Sequence, residues 1–249
     1  MVDVHDGNIV IAPEFAAMGL VGGAPRIGIG QYFAAHHLWA ARLMALRCRE
    51  REDQLVAAGQ YGVDYEVRSF ALAAISESVA LLEAHVNEAW QDTHDADHDD
   101  TDVPRLRGLE PPTRARLREQ WTEQFEKRSA LDKYAIALEC AGKRLEKGRP
   151  TYQDVKAVTQ LRHALAHFQP GMRWSDAEHR IETQVKRRAA KHPNPLMRDT
   201  TPWFPNHPLC AGVAEWAWRS CMKFADEWHE QMGLEISYRD GIAQWPDER

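Results

Sequence analysis

The sequence has few of the features that would place a protein outside the cell or in a membrane. Its four cysteines are scattered without C-x-x-C spacing, which predicts reduced thiols rather than a disulfide framework or a metal-binding knuckle. The N-terminus lacks the basic and apolar regions of a signal peptide, and no apolar run approaches the roughly 18 residues of a membrane span. We therefore expect a cytoplasmic protein without a membrane partner.

The sequence also lacks a broad positive charge and a recognisable phosphate-cradling loop. Its net charge of -6 argues against a general nucleic-acid coat protein, although it leaves room for a small basic site. The Gly-rich stretch 22–30 has neither the G-x-G-x-x-G spacing nor the Lys-Ser/Thr pair of a P-loop. We interpret residues 1–30 as a flexible or partly extended arm, and we expect no cofactor.

Helical periodicity dominates the rest of the chain, and no strand-rich region or internal repeat interrupts it. A hydrophobic fraction of 44% with 27% charged residues is ordinary for a globular protein with a sizeable core. The pattern predicts an all-α domain over residues 31–233. The predicted segments are helices 31–58, 64–90, 114–127 and 129–142, a motif helix 152–168, a basic and Pro-rich connector 172–208, a closing helix 209–232 and a tail 234–249.

The motif helix has sequence signals at both of its ends. Thr151 followed by Asp154 is a near-match to a capping box at its start, and Pro170 with Gly171 would stop it. The apolar stripe along this helix comprises Val158, Leu161, Leu165 and Phe168. On the opposite face, His163 and His167 lie one turn apart, with Arg162 beside them. Two histidines and an arginine away from the core side of the helix suggest a functional site.

These residues carry a resemblance to a known family. The stretch from Leu161 to His167 resembles the Arg-to-His signature of the HEPN superfamily, the nucleotide-binding domain of higher eukaryotes and prokaryotes. The earlier stretch from Ile75 to Glu88 is similar to a first-half helix of HEPN-like proteins. The resemblance covers about residues 67–168 and implies an all-α, up-and-down helical bundle, here with an N-terminal arm and a C-terminal helical extension.

By this resemblance, an active member of the superfamily would be a metal-independent endoribonuclease that leaves a 2′,3′-cyclic phosphate. Arg162 would bind the phosphate, His167 would be the acid/base and His163 would assist. An imidazole can exchange protons near neutral pH, and a guanidinium can stabilise charge growing on phosphate oxygens. The resemblance also implies a homodimer with the site at its two-fold axis, an RNA substrate, and a setting in phage defence or with an antitoxin or regulatory partner.

Two further groups of residues are candidates for a supporting role. Glu83 and Asn87 lie one turn apart on the predicted helix 64–90, so they could share a partner at the site or simply pair with a neighbouring helix. The segment after Pro170 is locally basic and could bind RNA, or it could be a solvated helix face. Its candidate RNA-binding residues are Arg173, Arg180, Lys186, Arg187 and Arg188.

Three alternatives to the ribonuclease hypothesis remain open. The chain could be an inactive HEPN-like module that binds a nucleotide or a partner. His163 and His167 could bind zinc at i, i+4, although Ala164 replaces the usual Glu and no third ligand is marked; His179 or a cysteine could serve as one. Arg162 and His167 could be structural, bonding to Glu83 or Asn87. A metal site in the acidic stretch 92–102 is less well supported than a solvated loop, because the stretch lacks the Gly and terminal Glu of a calcium loop.

Overall fold

The computed structural model of the protein describes residues 16–21, 24–29, 32–95, 103–171, 180–236 and 238. Helices form most of this part of the chain, which confirms the predicted all-α class. Ahead of the helices, strands β1 (Ala16–Val21) and β2 (Ala24–Ile29) pair in an antiparallel hairpin. Part of the arm that was predicted to be flexible or partly extended is thus a β-hairpin.

Most of the described helices lie close to the predicted segments, but two of them, Arg180–Ala189 and Trp203–Asn206, lie within the predicted connector 172–208. In chain order they are α1 (Ala34–Ala57), α2 (Tyr65–Asp95), a short 3₁₀ helix (Pro104–Leu106), α3 (Pro111–Gln120), α4 (Glu123–Glu126), α5 (Ala130–Cys140), α6 (Pro150–Ala166), α7 (Arg180–Ala189), α8 (Trp203–Asn206) and α9 (Ala211–Met232). The single helix predicted over 114–127 is two helices, because Trp121 and Thr122 are extended. Thr122 then caps α4 by accepting the Phe125 N–H at 3.2 Å.

Helix α2 is the centre of the bundle, where it packs against α1, α9 and α6. Ile75, Leu82, Val86 and Trp90 are almost completely buried among these helices, as expected for a helix that is apolar over most of its circumference. The helix continues past its predicted end at residue 90, so the first residues of the predicted acidic loop are helical. Residues 96–102 of that loop lie outside the described residues.

A buried carboxylate, rather than a local side chain, caps the start of α1. Glu88 Oε1 accepts the backbone N–H groups of Phe33 and Ala34 at 2.6 and 2.7 Å. Its other oxygen accepts Arg105 Nη2 at 2.6 Å, and Arg105 Nε donates to Asp92 at 3.0 Å. The cluster satisfies orphan N–H groups of the helix and joins α1, α2 and the 3₁₀ helix.

The closing helix α9 has a defined cap at each end. Glu52, which is only 1% exposed, accepts the Ala211 N–H at 3.0 Å from the first turn of α9. Gly233 ends the helix with a φ of 77°, a left-handed conformation that glycine adopts without steric penalty. The segment that follows returns to the bundle, since Leu234 and Tyr238 are buried.

The apolar character of α2 bears on the membrane prediction. Residues Tyr65–His94 contain an 18-residue window with a mean hydropathy of 1.3, which is long and apolar enough for a membrane span by composition alone. The expectation that no segment approaches this length is therefore wrong by that measure. Half of the window is nevertheless buried inside the bundle, and the core helix of a soluble protein can have the same length and hydropathy.

Candidate functional site

The three motif residues lie at the C-terminal end of α6. His163 and His167 are exposed, and their ring centroids are 4.5 Å apart. The helix ends at Ala166 rather than at the predicted Phe168, and His167 is its C-cap residue, with its N–H bonded to the His163 carbonyl oxygen at 3.0 Å. The two imidazoles therefore form one accessible pair on the solvent side of the helix.

The predicted start of α6 is wrong in its detail. Arg149 is the N-cap and Pro150 occupies the first turn, where its missing N–H removes no helical bond. The Thr151 hydroxyl donates instead to Glu227 Oε1 of α9 at 3.0 Å. Asp154, also predicted to cap the helix, forms an ion pair with Arg188 of α7. Both polar groups join α6 to its neighbours.

The core side of α6 follows the predicted stripe only in part. Val158 and Leu161 are fully buried, whereas Leu165 is only half-buried and Phe168 is 41% exposed. The Phe168 ring lies 6.0 Å from the Phe204 ring of α8. The end of the motif helix therefore lies at the edge of the bundle, next to α8.

Arg162 contacts one of the two predicted supporting residues. Its Nη2 lies 3.4 Å from Glu83 Oε1, and the two side chains are 32% and 51% exposed. An ion pair of this length and exposure is worth about 0–1 kcal/mol. This contact is the one expected if Arg162 has a structural role. It is nevertheless weak enough for a phosphate to displace Glu83 from the guanidinium.

Asn87 has a different partner, so Glu83 and Asn87 do not share one. Lys133 Nζ of α5 donates to Asn87 Oδ1 at 2.7 Å and to the Glu126 carbonyl oxygen at 2.8 Å. Burial lowers the pKa of Lys133, which is 4% exposed. Sequence reasoning missed Lys133, although it directly precedes Tyr134 in the buried side of α5.

Helix α7 places part of the predicted basic segment next to α6. Ile181, Val185 and Ala189 form its buried side. Lys186 pairs with the buried Glu182 at 3.3 Å, and Arg188 pairs with Asp154.

Arg180 and Arg187 are exposed and form no ion pair with any residue that the structure describes. Arg173 lies outside the described residues. Two of the predicted RNA-binding side chains thus remain accessible, and two are engaged within the protein.

The residues suited to metal binding do not converge. Among the described residues, no group of three or more His, Cys, Asp or Glu side chains could hold a metal ion. His163 and His167 have no third ligand in this part of the chain, and His179 lies outside it. The cysteines are buried, and burial raises the pKa of Cys210 to about 12. A buried thiol with such a pKa is a poor ligand or nucleophile.

A second histidine pair, which sequence reasoning missed, lies inside the bundle. His85 Nε2 and His229 Nε2 are 2.7 Å apart, and His85 Nδ1 is 2.7 Å from the Tyr134 hydroxyl. The Glu235 carbonyl oxygen lies 3.0 Å from His229 Nδ1, which must donate to it. With both rings neutral, His229 Nε2 then accepts from His85. His85 Nδ1 in turn accepts from the Tyr134 hydroxyl, whose single proton is shared with the Leu82 carbonyl oxygen at 3.2 Å.

This inner pair has the character of a structural element. His85 is 1% exposed, and burial, followed by the nearby His229 and Arg105, lowers its pKa well below the ordinary value. Each imidazole nitrogen of the pair has a hydrogen-bond partner within the protein. The accessible pair at His163 and His167 is therefore the better candidate for chemistry.

Comparison with known proteins adds no assignment to this geometry. No protein-family model matches the chain. Neither the curated proteins nor the solved structures contain a match.

Proposed function

We propose that the protein is a metal-independent endoribonuclease of the HEPN type, with an RNA substrate and a site shared by two copies. The observation that carries the proposal is the exposed pair His163 and His167 beside the half-exposed Arg162. Imidazole and guanidinium groups that are open to solvent on one helix can supply the acid, the base and the phosphate contact for phosphodiester cleavage by the 2′-hydroxyl.

The proposed reaction assigns a separate task to each side chain. An imidazole takes the proton of the 2′-hydroxyl, whose oxygen attacks phosphorus and forms the 2′,3′-cyclic phosphate. The P–O5′ bond breaks, and a second imidazole donates a proton to the leaving 5′-oxygen. Arg162 holds the phosphate and stabilises the charge that develops on its non-bridging oxygens.

Geometry is the reason for involving a second copy. Arg162 and His167 are five positions apart, which corresponds to about 7.5 Å along a helix and to different sides of it. A single copy would therefore hold a phosphate between them only loosely. A two-fold axis would place two arginines and two histidine pairs at one site.

The exposed ends of α7 supply a route for the RNA backbone. Arg180 and Arg187 carry positive charge beside α6 without a described ion pair. Phosphate contacts of this kind give affinity without sequence preference and weaken as salt increases. The net charge of -6 makes such a local basic surface more important for RNA binding.

Cleavage of a mixed RNA substrate in the presence of EDTA tests the proposal. Wild type should produce 2′,3′-cyclic phosphate ends, and His167→Ala should be slower by about 10²–10⁴-fold, the usual contribution of general acid–base catalysis. His36→Ala, which removes an exposed histidine from α1, is the matched control and should cleave like wild type. A requirement for metal, or full activity of His167→Ala, would contradict the mechanism.

The second candidate is a HEPN-like module that binds a nucleotide or a partner without cleaving it. The net charge of -6 favours it slightly, because an acidic chain is less suited to binding a long RNA polyanion. A folded wild type that binds RNA or nucleotides through Arg162, but never forms cyclic phosphate ends, would identify this alternative.

A further inference from the structure

One end of the bundle carries exposed aromatic side chains. Tyr65, the first residue of α2, is 85% exposed, and Tyr61, in the connection from α1, is 65% exposed. Phe168, which follows His167 at the end of α6, is 41% exposed. A ring that is open to solvent offers an apolar face on which the base of a nucleotide can stack.

A partly buried arginine accompanies these rings. Arg68 lies three positions after Tyr65 and therefore on the same side of α2. Its guanidinium forms one hydrogen bond to a described residue, from Nη2 to Asn206 Oδ1, and the buried Nε–H has no acceptor in this part of the chain. Burial lowers the pKa of Arg68, and no carboxylate of the described residues offsets that effect. A guanidinium in this state is suited to binding an anion, above all a phosphate.

The short helix α8 joins this side of α2 to the proposed site. The Phe168 ring lies 6.0 Å from the Phe204 ring of α8. Asn206, two residues further along α8, accepts the hydrogen bond from Arg68. Because Phe168 directly follows His167, the aromatic rings and Arg68 lie along one surface that begins at the exposed histidines.

The acidic side chains next to Tyr65 do not cancel the charge of Arg68. Asp64 and Glu66 both pair with Arg51 of α1, at 2.9 Å in each case. Their carboxylates are thus engaged within the protein, and the positive charge of Arg68 is left for a ligand of opposite sign.

We propose that Tyr65, Arg68 and Phe168, which we call the Tyr65 surface, bind an unpaired segment of RNA beside the cleaved phosphate. Tyr65 and Phe168 stack on bases of this segment, and Arg68 binds a phosphate of its backbone. The inference rests on the proposed function for the identity of the nucleic acid, and it adds the requirement that the RNA is single-stranded at this point.

Stacking is the reason why the segment must be unpaired. In a duplex the faces of the bases contact one another, whereas bases in loops, bulges and ends can be splayed out onto aromatic side chains. Every base has a π-face, so a stacking surface tolerates any sequence. Selection by the Tyr65 surface therefore depends on the structure of the RNA rather than on its sequence.

Fluorescence anisotropy of a single-stranded oligouridine with 2′-O-methyl groups, about 12 nucleotides long, measures binding without cleavage. Tyr65→Ala should lower the affinity about 5–150-fold, the usual effect of removing one stacking ring. Tyr65→Phe keeps the ring and should bind like wild type. The matched control Phe33→Ala removes a ring that is 53% exposed at the opposite end of α2, beside Glu88, and should also bind like wild type. An unchanged affinity of Tyr65→Ala, or no binding by wild type, would overturn the proposal.

The salt dependence of the same affinity tests the role of Arg68. Loss of one phosphate contact on a single strand reduces the slope of log affinity against log salt concentration by about 0.7. Arg68→Gln should show this reduction, because glutamine can still donate to Asn206 but carries no charge. Arg144→Gln, at an exposed position after the end of α5, should keep the wild-type slope. A wild-type slope in Arg68→Gln would overturn the phosphate contact.

Duplex RNA of the same length separates stacking from a general attraction between charges. Wild type and Tyr65→Ala should bind a blunt-ended duplex with equal affinity, because its bases are not available to an aromatic side chain. If Tyr65→Ala weakens binding to the duplex as much as to the single strand, base stacking is not the cause and the proposal fails.

An anionic membrane is another occupant that exposed aromatic rings beside an arginine allow. The proposal expects wild type not to bind vesicles of phosphatidylcholine and phosphatidylserine in a flotation assay. Binding that is lost in Tyr65→Ala would overturn RNA as the occupant of the Tyr65 surface.

These experiments separate the inference from the ribonuclease proposal. If Tyr65→Ala weakens binding to the single strand but wild type cleaves no RNA, the Tyr65 surface stands and the ribonuclease proposal fails. If wild type cleaves RNA but Tyr65→Ala binds the single strand like wild type, the ribonuclease proposal stands and the Tyr65 surface is wrong.

Discussion

At the scale of single residues, Arg162 can be either a structural group or a phosphate-binding group, and energy separates the two roles. A partly exposed ion pair at 3.4 Å contributes about 0–1 kcal/mol, whereas a charge-assisted hydrogen bond to phosphate is roughly twice as strong as a neutral one. Because the ion pair contributes so little free energy, Glu83 binds the Arg162 guanidinium only weakly, and a ligand can replace it.

A double-mutant cycle on this pair provides the first prediction. Arg162→Ala and Glu83→Gln should each change the free energy of unfolding by less than about 1 kcal/mol, with a coupling of about 0.2–1 kcal/mol. RNA affinity should fall about tenfold in Arg162→Ala, the loss of one charged phosphate contact, and should not fall in Glu83→Gln. Urea denaturation and RNA titration measure the two quantities. A destabilisation of Arg162→Ala above about 2 kcal/mol would instead favour the structural role.

The candidate site was predictable at residue level only where the signal lies within one helix. His163 and His167 follow helical spacing, so their proximity could be read from the sequence. The partner of Asn87 could not, because Lys133 reaches it across 46 positions. The buried pair His85 and His229 spans 144 positions, and no local pattern distinguishes such histidines from exposed ones.

At the scale of helices and strands, some helix caps come from neighbouring residues in the sequence and others come from a different helix. Ser129 and Asp64 cap their helices by accepting the N–H groups of residues three positions on, at 3.3 and 2.9 Å, as their residue types predict. The caps of α1 and α9 come from Glu88 and Glu52 on other helices. Bundle packing determines these long-range caps, so the sequence alone did not identify them.

Removing the long-range cap of α1 should destabilise the protein strongly. Glu88→Ala would leave two backbone N–H groups and the Arg105 guanidinium without their acceptor, and we expect a loss of about 2–4 kcal/mol in unfolding free energy. The matched variant Glu119→Ala, at an exposed position of α3, should change it by no more than about 0.5 kcal/mol. Urea denaturation compares them, and equal effects would show that the Glu88 contacts contribute little.

The return of the chain after α9 depends on two facing glycines. Gly108 has a φ of 90°, and a Cβ placed on it would overlap the Gly233 carbonyl oxygen. Gly142 also has a positive φ, 70°, but a Cβ there would meet no atom within 4 Å. Gly142→Ala therefore isolates the backbone penalty, about 1–2 kcal/mol. Gly108→Ala should lose about 1–3 kcal/mol more, the usual effect of overpacking. Equal losses in thermal unfolding would contradict this close contact.

At the scale of the whole molecule, the two histidine pairs have different roles: the inner pair contributes to stability, and the exposed pair is the one proposed for chemistry. His163 and His167 are open to solvent, whereas His85 and His229 join α2 and α9 in the interior. The Tyr134 hydroxyl and the Glu235 carbonyl oxygen complete the hydrogen bonds of the inner pair. Its bonds therefore also hold the segment after α9 against the bundle, so protonation in the interior should affect folding rather than the proposed site.

Stability should consequently fall as the pH decreases below about 6.5, the ordinary pKa of histidine. Burial lowers the pKa of His85 in the folded protein, so the unfolded chain binds a proton at a pH where the folded protein does not. The stabilisation is complete above the unfolded pKa and is lost as the pH falls towards the folded one. The slope for one such proton is at most about 1.4 kcal/mol per pH unit. His192, whose pKa burial also lowers, contributes in the same direction.

Urea denaturation of wild type, His85→Gln and His192→Gln between pH 7.5 and 5 measures this contribution. In His85→Gln the new side-chain amide can donate and accept hydrogen bonds but does not titrate, so the unfolding free energy of that variant should fall less steeply with decreasing pH. Burial raises the pKa of Glu52 and Asp92, an effect of opposite sign that cancels in the difference between variant and wild type. A His85→Gln profile parallel to that of wild type would mean that His85 does not cause the acid sensitivity. A shallower slope in His192→Gln alone would then assign the acid sensitivity to His192, the more exposed of the two histidines.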